Sequence, residues 1–282
     1  MHFNHREHKG NTQRTQRNNN HGLSFVLFVR TLCPLWLKLV TGISQKFIVF
    51  LGIIFFSNIF IYSQSTDYAK VFGSDWEQAL KYEKENRLWM EKVLKDNKIP
   101  YDYALAVVFP ELVRYSALRD KMEITLLKAL YINLGEQYAN FSIGRFQIKP
   151  SFAEYIRAGS TILPKRKLQF RFAQPDDFSN ITEYRKSIVT DLESDQKEIN
   201  YIIAFYKICE RKFDLAAMDE NTKIKFLATA YNYGPDKSQE EIDKMIDRKF
   251  FNTKIIKTEN YSYAEVALFW FSNYRTGINK SY

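Results

Sequence analysis

Val107–Ser116, with the sequence VVFPELVRYS, is an apolar stretch that holds a single acidic residue, Glu111. A carboxylate in apolar surroundings is costly unless it is paired, neutralised or used in chemistry. Desolvation raises the pKa of such a carboxyl group, because the charged form loses its water. An acid that stays protonated near neutral pH can give its proton to a leaving oxygen. The alternative interpretation is structural, with Glu111 capping a turn or pairing with a base such as Arg114.

The sequence on both sides of this stretch has helical spacing of its apolar residues. Pro100 follows the first predicted helix, Pro110 disturbs the second near Glu111, and Gly234 with Pro235 stops a later one. The predicted helices are Trp76–Leu94, one that starts over Tyr103–Val108, Lys121–Asn133, Ser151–Ala158 closed by Gly159, Glu183–Leu192, Lys197–Lys212, Thr222–Tyr233 and one capped by Ser262. No alternating run is long enough for a large sheet. The sequence therefore predicts a mainly α fold, with one domain over residues 64–282.

Residues 1–63 have the layout of a leader that ends in a secretory signal peptide. A polar segment, residues 1–22, is expected to be disordered. Further on, Lys46 precedes the apolar run Phe47–Tyr62, and small residues follow from Ser63. A base, a short apolar core and small residues are typical of a cleaved export signal. This predicts a periplasmic or exported protein, with cleavage near Ser63. The alternative is an uncleaved membrane anchor, although the run is short for a membrane span.

The net charge of +9 does not indicate a nucleic-acid partner, because most of the excess lies in the leader. Residues 1–63 hold seven of the 41 Lys and Arg residues and one of the 32 acids, which gives +6. The remaining 34 bases and 31 acids give only +3. A domain that binds nucleic acid usually has a larger and more clustered basic excess.

The residue types of the main body exclude several kinds of site. All four histidines (His2, His5, His8 and His21) lie in the leader, and of the two cysteines only Cys209 lies in the body. A Ser-His-Asp triad, a His-ligated metal, a Cys-rich zinc site and an internal disulfide are therefore excluded there. Glycine-rich phosphate loops are also missing from the sequence. We accordingly expect no metal and no cofactor, and chemistry based on carboxylate, tyrosine, lysine and amide groups.

Two later stretches accompany Glu111 in a recognisable order. The first is Ile143-Gly144-Arg145-Phe146-Gln147, and the second is Ala230-Tyr231-Asn232-Tyr233-Gly234. A catalytic Glu, a Gly-Leu-Met-Gln-like stretch and Ala-Tyr-Asn-x-Gly occur in this order in domains like the soluble lytic transglycosylases. The chain resembles that family, whose fold is similar to goose-type lysozyme, over roughly residues 100–235.

The resemblance implies a role for each matching residue. Glu111 is implied as the general acid and base, and Gln147 as a group that binds sugar at the cleavage site. Tyr231 is implied to hydrogen-bond and orient Glu111, and Asn232 to support the floor of the cleft. Gly144 would let the backbone approach a ligand closely. The implied substrate is the glycan strand of peptidoglycan, whose own N-acetyl group or 6-hydroxyl completes the reaction, so no second carboxylate is needed.

The sequence departs from the family pattern in two places. Leu112 follows Glu111 where the family usually has Ser, and the 36-residue interval to Gln147 is longer than usual. The added length includes the predicted helix Lys121–Asn133, which is expected to reshape one wall of the cleft. Two hypotheses follow: an enzyme that cleaves peptidoglycan glycan strands, and an inactive module of the same fold that binds peptidoglycan or organises the cell envelope.

Overall fold

The computed structural model describes residues 66–117, 121–164, 167–252 and 259–275. The predicted leader and signal peptide, residues 1–63, lie outside this range. The described residues belong to one compact unit that begins at Thr66.

The fold is built mainly from helices, as the sequence predicts. In chain order they are α1 (Tyr68–Phe72), α2 (Ser74–Asp96), α3 (Tyr101–Ala117), α4 (Lys121–Leu134), α5 (Pro150–Ser160), a 3-10 turn (Pro175–Asp177), α6 (Ile181–Leu192), α7 (Asp195–Lys212), α8 (Glu220–Tyr233), α9 (Gln239–Asp243) and α10 (Tyr263–Tyr274). Two short strands, β1 (Lys249–Phe251) and β2 (Tyr261–Ser262), pair antiparallel with an irregular register. The mainly α class is confirmed.

Helix α3 lies at the centre and carries Glu111. It contacts α2, α7, α8 and α10, and residues 104–113 are buried along its whole circumference. Pro110 sits inside α3 rather than ending it. A proline removes one backbone donor and crowds the preceding turn. In that turn the Tyr263 hydroxyl donates to the Val107 carbonyl at 3.0 Å. The helix predicted to start over Tyr103–Val108, with Pro110 as a perturbation, runs from Tyr101 to Ala117, and neighbouring helices hold the disturbed turn.

Helices α4, α5 and α6 pack mainly on one another and on α7. Helix α5 packs against α6 and α7, and α4 packs against α6. Helix α5 runs through Gly159, the predicted stop, and ends one residue later at Ser160. Side chains cap several helix starts, among them Asp219 before α8 and Ser262 before α10. Such caps satisfy backbone donors that a helix start leaves free.

A tight turn links α4 and α5 and carries the second predicted motif. Ile143 and Ile148 exchange two backbone hydrogen bonds of 2.9 and 3.0 Å, so residues 144–147 close the turn between them.

Among the described residues, no helix is both long and apolar enough to cross a bilayer.

Candidate active site

One cavity of about 440 Å³ collects residues from all three predicted stretches. Glu111 comes from α3, Gln147 from the turn before α5, and Tyr231 with Asn232 from the end of α8. Its wall also includes Arg114, Glu136, Asn140, Ser142, Lys149, Tyr155 and Asp236. Four of the five residues predicted for the site therefore share one concave surface, although up to 121 positions separate them in the chain.

Glu111 is nearly buried, with 3% of its surface exposed. Both carboxylate oxygens accept from Nη1 of Arg114 at 3.0 Å. Burial raises the pKa of Glu111, and the positive charges of Arg114 and Lys149 act in the opposite direction. Loss of hydration is the larger effect, so the proton is held more tightly than in an ordinary glutamate. The pair with Arg114, which is the structural alternative for Glu111, is present in the same site.

Arg114 is held in place by an aromatic ring. Its guanidinium lies over Phe251 of β1, 4.7 Å from the ring centre, and its side chain is 20% exposed. A guanidinium over an aromatic face is stabilised by the ring's electron density. The short strand pair thereby fixes the base that faces the acid.

Gln147 adopts a left-handed backbone conformation with φ of 52°. Its side-chain amide nitrogen donates to the Gly144 carbonyl at 2.9 Å, which closes the turn on itself. A non-glycine residue in this region costs about 1–3 kcal/mol and is concentrated at functional sites. The half-buried amide lies on the cavity wall, where it can both donate to and accept from a ligand.

Glu198 of α7 stabilises the turn at residues 144–147 through hydrogen bonds to its backbone. It is fully buried, and its two carboxylate oxygens accept from the backbone N–H groups of Arg145 at 2.9 Å and Phe146 at 3.2 Å. Burial raises the pKa of Glu198. Sequence reasoning missed this residue. Its signal was its position on the face that also carries Tyr201, Ile202 and Phe205, three, four and seven residues further on.

Tyr231 does not make the hydrogen bond that the family resemblance implies. Its hydroxyl donates to the Phe146 carbonyl at 2.9 Å, rather than to Glu111. Burial raises the pKa of Tyr231, the negative charges of Glu111 and Glu198 act in the same direction, and the phenol therefore keeps its proton. The hydroxyl has only this one proton to donate, and it donates it to the Phe146 carbonyl. Tyr231 therefore positions the turn that carries Gln147, and the hydrogen bonds that orient Glu111 come from Arg114.

Gly144 is not among the residues that line the cavity. Its backbone has φ of 76°, and a Cβ there would lie 2.2 Å from the Leu192 carbonyl and 2.3 Å from a Glu198 oxygen. The close approach that the sequence suggested is therefore made to α6 and α7. Asn232 lines the cavity and is half-buried.

The long interval between Glu111 and Gln147 contributes to the cavity through the segment after α4. Glu136, Asn140 and Ser142 belong to it and line the wall. Lys149, just beyond the turn, adds an exposed positive charge beside Glu111.

Among the described residues, no group of three or more His, Cys, Asp or Glu side chains is arranged to hold a metal ion.

Comparison of the chain with protein-family models, with curated proteins and with solved structures found no match.

Proposed function

We propose that this protein cleaves the glycan strands of peptidoglycan, as a lytic transglycosylase or a muramidase, with Glu111 as its general acid and base. The observation that supports this proposal most is the shared cavity, in which Glu111, Gln147 and Asn232 meet although they lie on three separate segments. The proposal requires that the protein reaches the cell wall. The predicted signal peptide that ends near Ser63 supports this requirement.

The proposed reaction needs one carboxyl group. Protonated Glu111 gives its proton to the glycosidic oxygen while the bond from that oxygen to the anomeric carbon breaks. The substrate's N-acetyl oxygen stabilises the electron-poor carbon. The Glu111 carboxylate then takes a proton from the attacking hydroxyl group. Attack by the sugar's 6-hydroxyl gives a 1,6-anhydro end, and attack by water gives a reducing end.

The neighbouring amides suit a substrate rich in N-acetyl and hydroxyl groups. Gln147 and Asn232 line the cavity, each directly follows one partner of the Tyr231–Phe146 hydrogen bond in the sequence, and each side chain carries donors and an acceptor. Tyr155 and Tyr233 add aromatic surface to the same wall. Sugar rings commonly bind to such mixed surfaces, in which a few polar groups fix the orientation.

The test is digestion of purified peptidoglycan sacculi by the full chain, followed by mass spectrometry of the released fragments. We expect fragments with new glycan ends, of the anhydro or the reducing type, and only background release by Glu111→Gln. The matched control is Glu240→Gln, since the Glu240 side chain is 80% exposed and pairs with Lys244 on the surface. Background release by the unaltered chain would contradict the proposal.

A second candidate function is an inactive module that binds peptidoglycan or organises the cell envelope. Two observations favour it: both oxygens of Glu111 already have a partner in Arg114, and Leu112 stands where the family usually has Ser. Cosedimentation of the full chain with sacculi, without release of fragments, would support this function over catalysis. Absence of binding would argue against both.

A further inference from the structure

A loop that follows α8 forms part of the cavity wall. This wall loop, residues 234–237, lines the cavity with all four of its residues. One backbone hydrogen bond closes it on itself, from the Lys237 N–H to the Gly234 carbonyl, and its length of 3.4 Å is beyond the usual range. The wall loop therefore depends on side chains from other elements to keep its position.

Lys212, the last residue of α7, holds the wall loop through its ammonium group. Its Nζ donates to the backbone carbonyls of Pro235, Asp236 and Lys237 at 2.8, 2.8 and 2.7 Å. An ammonium group has three donors, so all of them are used by this loop. Hydrogen bonds from a charged donor are stronger than those between neutral groups. The Tyr155 hydroxyl adds a bond of 3.2 Å to the Pro235 carbonyl.

Helix α7 supports two parts of the cavity wall with side chains of opposite charge. In its first turn, Glu198 accepts from the backbone of the turn that carries Gln147. In its last turn, Lys212 donates to the backbone of the wall loop. The helix dipole favours an acid at the start of a helix and a base at its end. The turn and the wall loop therefore share one rigid support.

The contact of Lys212 lies at the surface, which decides what its loss would do. Its bonds to the Asp236 and Lys237 carbonyls are exposed, so water can take the place of the ammonium group there. The helices would keep their packing, because the side chain of Lys212 belongs to the exposed face of α7. Loss of Lys212 should therefore release the wall loop without unfolding the protein.

We infer that Lys212 is a positioning residue for ligand binding, which holds the wall loop where a ligand in the cavity contacts it. This inference rests on the proposed function and adds to it a residue that does not itself line the cavity. Glu111 lies on α3 and has no bond to the wall loop among the described residues. Lys212 therefore determines affinity, and the proton transfer by Glu111 does not depend on it.

The test uses two matched variants of the full chain, Lys212→Gln and Arg211→Gln. Both residues are exposed in the last turn of α7, and each change removes one positive charge. In the described part of the chain, only Lys212 of the two bonds to the wall loop. Hydrogen exchange of the amides at residues 236–238 should be about tenfold or more faster in Lys212→Gln, as for loss of hydrogen bonds from a charged group. Arg211→Gln should leave it unchanged.

The kinetics of sacculus digestion separate positioning from a structural role. In Lys212→Gln the sacculus concentration that gives half the maximal rate (KM) should rise about tenfold, while kcat changes by less than about threefold. The pH profile of kcat should be that of the unaltered chain. Lys212→Arg keeps a charged donor, but its planar fork does not match three carbonyls around one point, so KM should rise by a smaller factor. This variant tests the idea even if Lys212→Gln fails to fold.

The outcomes separate this inference from the proposed function. Digestion by Lys212→Gln with an unaltered KM would overturn the inference and leave the proposed function intact, even if the wall loop exchanges faster. If the unaltered chain releases no fragments, cosedimentation with sacculi gives the affinity instead. Weaker binding by Lys212→Gln, but not by Arg211→Gln, would then uphold the inference and reject cleavage. No binding of sacculi by the unaltered chain would overturn both.

Discussion

The Tyr231 hydroxyl donates a hydrogen bond of 2.9 Å to the backbone carbonyl of Phe146, 85 positions away in the chain. This bond joins the end of α8 to the turn that carries Gln147. Since both groups are buried, the carbonyl has no water to replace the phenol. The geometry of Gln147, a residue in a strained left-handed conformation, therefore depends on a side chain from another helix.

Tyr231→Phe should destabilise the protein by about 1–3 kcal/mol, because it leaves a buried carbonyl without a donor. The measurement is the free energy of unfolding from urea denaturation. Tyr138→Phe is the matched control, since Tyr138 is 66% exposed, and it should change stability by less than about 0.5 kcal/mol. If the two variants unfold alike, the Tyr231–Phe146 hydrogen bond contributes nothing measurable to the stability of the fold.

Gly144→Ala should destabilise the protein more strongly. The new Cβ would meet the Leu192 carbonyl and Glu198 within 2.3 Å, and the backbone there has φ of 76°. Strain and overpacking together should cost about 2–5 kcal/mol. Gly73→Ala is the control, because φ there is 50° and nothing lies within 4 Å of the added carbon. It should cost about 1 kcal/mol, from backbone strain alone. Equal losses in the two variants would show that Gly144 is not closely packed.

The pH dependence of stability should show the buried Glu111. Its pKa in the folded protein is raised above the ordinary 4.5, mainly by burial, so the folded state keeps a proton that the unfolded chain releases. Its contribution is therefore most favourable below 4.5 and is lost as the pH rises through the raised folded value. Glu198 has a shift in the same direction and is unchanged in Glu111→Gln, so the difference between the two proteins isolates Glu111.

Urea denaturation of the unaltered chain and of Glu111→Gln over this pH range is the measurement. The stability of the unaltered chain, relative to the variant, should decrease as the pH rises above 4.5. A relative stability that increases with pH would mean that Arg114 outweighs burial and that Glu111 rests as a firmly ionised partner.

Local signals in the sequence predicted much of the fold. The Gly234-Pro235 stop ends α8 at Tyr233, and the cap at Ser262 starts α10, because both depend on a few neighbouring residues. The strands β1 and β2 gave no such signal, since three and two residues are too few to show alternation. Helix α3 continues past Pro110 because packing against surrounding helices outweighs the local disturbance.

The site was predictable only where residue type determines the role. An acid in an apolar stretch already indicates a buried carboxyl group, and Glu111 is one. The partner of Tyr231 depends on how α8 faces the turn at residues 143–148, which no local pattern encodes. The same holds for Glu198, whose two backbone donors lie more than 50 positions away. The effect of Lys149 on the pKa of Glu111 likewise depends on its place beside Glu111 in the cavity, which no local pattern predicts.

The most direct test of the account is the initial rate at which the full chain and its Glu111→Gln variant release glycan fragments from the same sacculi. Removal of a general acid should lower the rate by about 10²–10⁴-fold, while the variant should still bind sacculi and Glu240→Gln should keep the full rate. A Glu111→Gln rate within a few fold of the unaltered chain, with the fold intact, would contradict the assignment of Glu111 as the catalytic acid.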